Sequence, residues 1–135
     1  MRTMIILLLM WFGLGPEISA QQDQQGRPVE LVVVLVYADW CEECDEISET
    51  FEELKEEWHQ NRTYFRKFDI SDEFTRTGTK QFAELMGLEE VLDSHESDTG
   101  HILFVDAPER EVIKTFEPGN KVDDIHSEIQ RYLEK

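Results

Sequence analysis

Apolar residues follow three different rhythms along this chain. Val29 to Tyr37 is a β-branched and aliphatic run, too short for a typical buried helix and rich in valine. It predicts a strand buried on both faces. From Cys41 to about His59 the rhythm changes. Cys44, Ile47, Phe51, Leu54 and Trp58 recur at spacings of three and four, which is one face of a helix. The other positions are mostly acidic. "TYFRKFDI", residues 63–70, predicts a second strand. Thr79 to Met86 predicts a helix with Phe82, Leu85 and Met86 on one face and Gly87 as its C-cap. Residues 88–100 read as a loop with at most a short helical turn. His101–Asp106 and Glu111–Phe116 predict two strands joined by a tight turn at "APER", hence an antiparallel hairpin. Val122, Ile125, Ile129 and Leu133 mark a last amphipathic helix, with Asp123 and Asp124 read as its cap. The order β-α-β-α-β-β-α predicts a small mixed α/β sandwich. Its first β-α-β gives a parallel pair through a right-handed crossover.

Residues 1–20 differ from the rest. Arg2 precedes an apolar run from Met4 to Leu14, then Gly15-Pro16, then Ser19-Ala20. This is the layout of a secretory signal peptide, with cleavage expected after Ala20. The apolar run is short for a membrane span; an uncleaved N-terminal anchor is the alternative. Residues 21–28 read as a flexible leader and residues 29–135 as one domain. Either fate of the first segment puts the domain outside the cytoplasm, periplasmic or secreted, where disulfides persist. The triplet Asn61-Arg62-Thr63 is a glycosylation sequon, meaningful only in a eukaryotic secretory pathway.

Charge narrows the partners. Thirty Asp and Glu against thirteen Lys and Arg give a formal charge of -17. That disfavours nucleic acid and anionic membranes, which need cationic neutralisation. It suits a solvated surface, life at high salt, or a partner with a basic face.

The candidate chemistry is the only pair of cysteines, Cys41 and Cys44, at the junction of buried strand and helix. A thiol at a helix N-terminus meets unpaired N–H groups and the positive end of the dipole, which stabilise the attacking thiolate. Cys44 lies one turn on and is expected to be more buried, placed to close a disulfide. Two other readings stay open. A permanent structural disulfide is one, although so small a loop constrains the unfolded chain little. Half of a metal site is the other. Of His59, His95, His101 and His126, only His95 and His101 lie in a segment that could approach the thiols, and zinc needs two further ligands.

"YADWCEEC", residues 37–44, in this order of elements resembles the thioredoxin family, which carries Trp-Cys-x-x-Cys at this place. The nearest likeness is to the C-terminal thioredoxin-like domain of the bacterial transmembrane thiol reductant, with its similar Tyr-Ala-Asp-Trp-Cys stretch. The resemblance covers about residues 29–135. It implies a thioredoxin-like fold, thiol-disulfide exchange with protein thiols and disulfides, and no cofactor. It implies Cys41 as nucleophile, Cys44 as resolving thiol and Trp40 as the aromatic that shapes the docking surface. An upstream electron donor, membrane-bound in that relative, and a monomeric state are expected with it.

The chain departs from the family at four places. Glu42-Glu43 stand between the cysteines where thioredoxins have Gly-Pro. Leu35 replaces a buried acid, while Lys67 matches the lysine of the next strand. Glu49 occupies the place of a helix-kinking proline, so a straighter helix is expected. The loop that should face the disulfide with a cis-proline carries Thr99-Gly100 instead. None of Pro16, Pro28, Pro108 and Pro118 can serve there. Glu42 and Glu43 oppose negative charge on Cys41, which predicts a reductant rather than a strong oxidant. Two further functions stay open: a non-catalytic binding module with an acidic partner surface, and a metal carrier.

Overall fold

The computed structural model describes residues 26–135. The proposed signal peptide and most of the leader lie outside them. At the leader's end Pro28 forms an isolated bridge, and Val29 is already buried.

Four strands form one sheet in the order β2-β1-β3-β4. β1 (Leu31–Tyr37) pairs in parallel with β2 (Thr63–Asp69) and antiparallel with β3 (Ile102–Asp106). β3 pairs antiparallel with β4 (Glu111–Phe116), with an irregularity between Phe104 and Val105. The central strand is buried on both faces, as its composition predicts. Leu31, Val33 and Leu35 join one core with Ile47, Phe51 and Leu54 of α1 (Cys44–Trp58) and Ile125, Ile129 and Leu133 of α4 (Val122–Leu133). Val32, Val34 and Val36 join the other core. That core also takes Ala83 of α2 (Glu73–Met86) and Val91 and Leu92 of α3 (Glu89–His95).

Several boundaries differ from the expectation for physical reasons. α2 starts at Glu73, not Thr79. Asp72 caps it: its Oδ1 accepts from the Thr75 N–H at 2.8 Å and its own N–H donates to Thr75 Oγ1 at 3.0 Å. This reciprocal box offsets the weak helix propensity of "TRTGT". Leu85 is 87% exposed, so the inward face of α2 is Phe82, Ala83 and Met86 without it. The loop at 88–100 contains a real helix, α3, anchored by Leu88, Val91 and Leu92. Asp123 and Asp124 make no side-chain cap on α4; they sit in its first turn and act through charge alone. Gly87 is the left-handed C-cap expected, at φ 71°. α1 continues through Glu49 without interruption.

Tyr132 ties α4 to the sheet. Its hydroxyl donates to an Asp106 carboxylate oxygen and reaches the Glu30 carbonyl at 3.3 Å. Burial, then the hydrogen bond to Asp106, then the charges of Asp106 and Glu30 push its pKa above the usual tyrosine range. A phenol that holds its proton more tightly folded than unfolded stabilises fully below the unfolded value near 10, and this is lost as pH rises above it. Tyr132→Phe should therefore cost about 1 kcal/mol at neutral pH, for the lost hydrogen bonds. Its urea midpoint should then fall less steeply than wild type through the alkaline range. Parallel slopes would remove Tyr132 from the alkaline transition.

Among the described residues no helix is long and apolar enough to cross a membrane.

Candidate functional site at the Cys41–Cys44 disulfide

The site grows out of the C-terminal end of β1. After Tyr37 the chain turns through Ala38, Asp39 and Trp40, and α1 begins at Cys44. The helix thus starts at Cys44, with its apolar rhythm, rather than at Cys41. Cys41 lies in a turn just ahead of it, with its N–H donating to the Ala38 carbonyl at 3.2 Å. The Cys44 N–H donates to the Cys41 carbonyl at 3.2 Å. This turn brings the two thiols together: Cys41 and Cys44 form a disulfide, with a Cα–Cα distance of 5.3 Å. Cys41 is 8% exposed and Cys44 fully buried at 0%. Cys41 carries the sulfur nearer the surface.

Trp40 is 61% exposed beside the pair. It is held by residues that periodicity does not single out. Its Nε1–H donates to the Ser71 carbonyl at 3.1 Å, and the Asp39 N–H donates to Ser71 Oγ at 2.8 Å. Ser71 in turn donates from its hydroxyl and its N–H to Asp69 Oδ1, at 2.5 and 2.9 Å. The signal for this clasp is the "DISD" run at the end of β2, residues 69–72, where short polar side chains hydrogen-bond their own turn.

The loop of Thr99 and Gly100 faces the disulfide, as expected, but it is Gly100 that makes the approach. A β-carbon there would lie 3.7 Å from Cys41 Sγ, 3.8 Å from Glu43 Cβ and 3.0 Å from Pro118 Cγ. Gly100 has φ +83°, a region glycine alone enters without strain. Among the described residues no peptide bond is cis. The Gly100 N–H donates to the Val36 carbonyl at 2.8 Å, and the Val36 N–H to the His101 carbonyl at 3.1 Å. The β1–β3 ladder therefore runs on into the loop and seats it against the sulfur.

Leu35 is fully buried, and an apolar side chain thus fills the place where the thioredoxin resemblance expects a buried acid. Its register partner on β2 is Lys67, whose Nζ sits 4.6 Å from the centre of the Tyr37 ring. Glu42 and Glu43 are both exposed. They are not equivalent: Glu43 Oε2 lies 4.0 Å from Cys41 Sγ. His95 Nδ1 pairs with Asp98 Oδ2 at 2.8 Å and His101 Nδ1 with the Asp98 carbonyl at 3.0 Å. Among the described residues no group of three His, Cys, Asp or Glu could hold a metal ion, so the geometry lends the metal reading no support.

Comparison with known proteins agrees with this geometry. The family model described as Thioredoxin matches residues 20–84, which carry β1, the cysteine pair, α1, β2 and most of α2. No sequence among curated proteins matches the chain. Solved thioredoxins match in structure. Thioredoxin-2 of the malaria parasite, described as a component of its protein secretion machinery, aligns at TM-score 0.52 and 14% identity, over 78% of this chain and 85% of that one. Fasciola hepatica thioredoxin aligns at 0.51 and 18%, over 76% and 81%. A point-mutant thioredoxin of Halobacterium salinarum aligns at 0.52 and 18%, over 79% and 78%. Strand order, the cysteine pair at the helix start and the family match over residues 20–84 together show that this chain has a thioredoxin-like fold.

Proposed function

We propose that the chain is an extracytoplasmic thiol-disulfide oxidoreductase that acts on protein thiols and disulfides as a reductant. One observation carries the general activity: a disulfide between a rim cysteine and a buried one, at the start of a helix in a thioredoxin fold. In the reducing direction the Cys41 thiol loses its proton and the thiolate attacks a substrate disulfide. A Cys41–substrate bond forms, and one substrate sulfur departs as thiolate and takes up a proton. The Cys44 thiolate then attacks Cys41, the Cys41–Cys44 bond closes, and the second substrate sulfur departs and is protonated. Two electrons pass to the substrate.

The reducing role rests on the carboxylates beside Cys41. With its thiolate disfavoured, the reduced pair gains little from ionisation at neutral pH, unlike a strong oxidant whose reduced form is stabilised. The location outside the cytoplasm rests on the pattern of residues 1–20. An electron donor upstream, membrane-bound as in the transmembrane reductant this domain resembles, and a basic protein partner complete the reading. The acidic surface of α1 supports the basic partner; its steering should weaken as salt rises.

The test is the redox equilibrium of the chain in graded dithiothreitol buffers, read by thiol alkylation and mass. A reversible two-electron transition at low potential, absent in Cys41→Ser, is the expected result. A pair that never changes state under these buffers would end the enzyme reading. The buried Leu35 and the trans Thr99–Gly100 loop favour a second reading, a binding module that keeps the fold. Under that reading Cys41→Ser retains the biological activity.

A further inference from the structure

The two glutamates between the cysteines differ in what they touch. Glu43 Oε2 lies within hydrogen-bond reach of Cys41 Sγ, at 4.0 Å, whereas no hydrogen bond or salt bridge joins Glu42 to the site. Glu43 occupies the N-cap position of α1, yet its side chain caps nothing. No cation among the described residues pairs with it. Its stem also shares with Cys41 Sγ the space over Gly100, at 3.8 and 3.7 Å from the missing β-carbon. Gly100 thus lies beside both the sulfur and the Glu43 stem, and Cys41 is only 8% exposed, so water screens charge at the sulfur less than on an open surface.

From this asymmetry we infer that Glu43, and not Glu42, sets the proton affinity of the Cys41 thiol and so tunes the redox pair. In the reduced protein the Cys41 S–H donates to the Glu43 carboxylate. Losing that proton would leave two negative charges side by side. Glu43 acts on the nucleophile by holding the proton there; Glu42, one residue earlier, faces solvent. This rests on the thiol-disulfide reading above and assigns control of that site to one side chain.

The experiment compares the reduced chain with Glu43→Gln, Glu43→Asp and Glu42→Gln. Cys41 alkylation by iodoacetamide is followed against pH, with the modified residue identified by mass. Glu43→Gln is expected to move the midpoint of the rate profile down by about one pH unit, and Glu42→Gln by less than about a third of that. Glu43→Asp keeps the charge and should keep most of the wild-type midpoint. The redox midpoint supplies a second readout. A thiol with a lower pKa binds fewer protons in the reduced state above that pKa. The Glu43→Gln pair should therefore be the more oxidising above its own thiol midpoint and converge on wild type below it. Equal shifts in Glu42→Gln and Glu43→Gln, or no shift in Glu43→Gln, would overturn the assignment. Failure of the wild-type pair to exchange with dithiothreitol is a separate outcome. It would sink the activity while leaving the alkylation profiles readable on chain reduced with a phosphine instead.

Discussion

Replacing Cys44 by serine is expected to stop turnover at the mixed disulfide. Cys41 at the rim still attacks and still links to its substrate. The group that would displace the substrate is then a hydroxyl, which does not cleave a disulfide under these conditions. Release falls to external thiols at millimolar concentration. An intramolecular thiol in place acts with an effective concentration on the order of 10⁵ M or more, so turnover should fall by at least about a thousandfold. The trapped adduct should appear in mass spectra as chain plus one substrate and disappear with dithiothreitol. Cys41→Ser should trap nothing, because Cys44 is fully buried and meets no substrate. Adduct formation through Cys44, or wild-type turnover by Cys44→Ser, would reverse the roles of the two sulfurs.

The second large effect concerns Leu35. Leu35→Asp puts back the acid that the thioredoxin resemblance leads one to look for, in a place now packed for leucine. Leu35 is fully buried in the core with Ile47, Phe51 and Phe104. Losing its side chain there costs about 2–5 kcal/mol. The new carboxyl adds a desolvation cost that burial converts into a raised pKa. An acid with a folded pKa above its unfolded value binds its proton more tightly when folded. Its penalty is therefore smallest below about pH 4 and grows as pH rises toward the folded pKa. The stability gap from wild type, taken from urea midpoints at pH 5 and pH 8, should be clearly larger at pH 8. A gap that does not change with pH would mean that a cation has reached the carboxylate, and Lys67 on the neighbouring strand is the one placed to do so.

Much of this molecule was legible in its residues, and what was missed has identifiable causes. β1 could be read because a valine-rich run has few other uses, and α4 because Ile125, Ile129 and Leu133 keep strict helical spacing. The cysteine pair was visible because motif, strand and helix agree at one junction. The first turns of α2 are hard to read because threonines and Gly78 hide a helix that Asp72 and Thr75 cap through side-chain hydrogen bonds, and hydropathy carries no trace of those. Spacing puts Leu85 on the inward face, whereas α2 turns Phe82, Ala83 and Met86 into the core it shares with α3 and leaves Leu85 exposed. The Ser71 clasp and the approach of Gly100 to Cys41 join residues about thirty and sixty positions apart, so only the fold could bring them together. The difference between Glu42 and Glu43 is one of direction from a turn, which two identical letters cannot convey.

Gly100 also closes an evolutionary route. Proline fixes φ near -65° and has no N–H, whereas this residue sits at +83° and gives its N–H to Val36. A single codon change to proline would break the ladder and strain the loop together. A lineage could not drift from this arrangement to a proline wall at the same residue one substitution at a time without passing through a damaged site. The glycine wall is thus a separate solution to covering a reactive sulfur, and an engineer wanting the proline version would have to rebuild the whole stretch from α3 to β3.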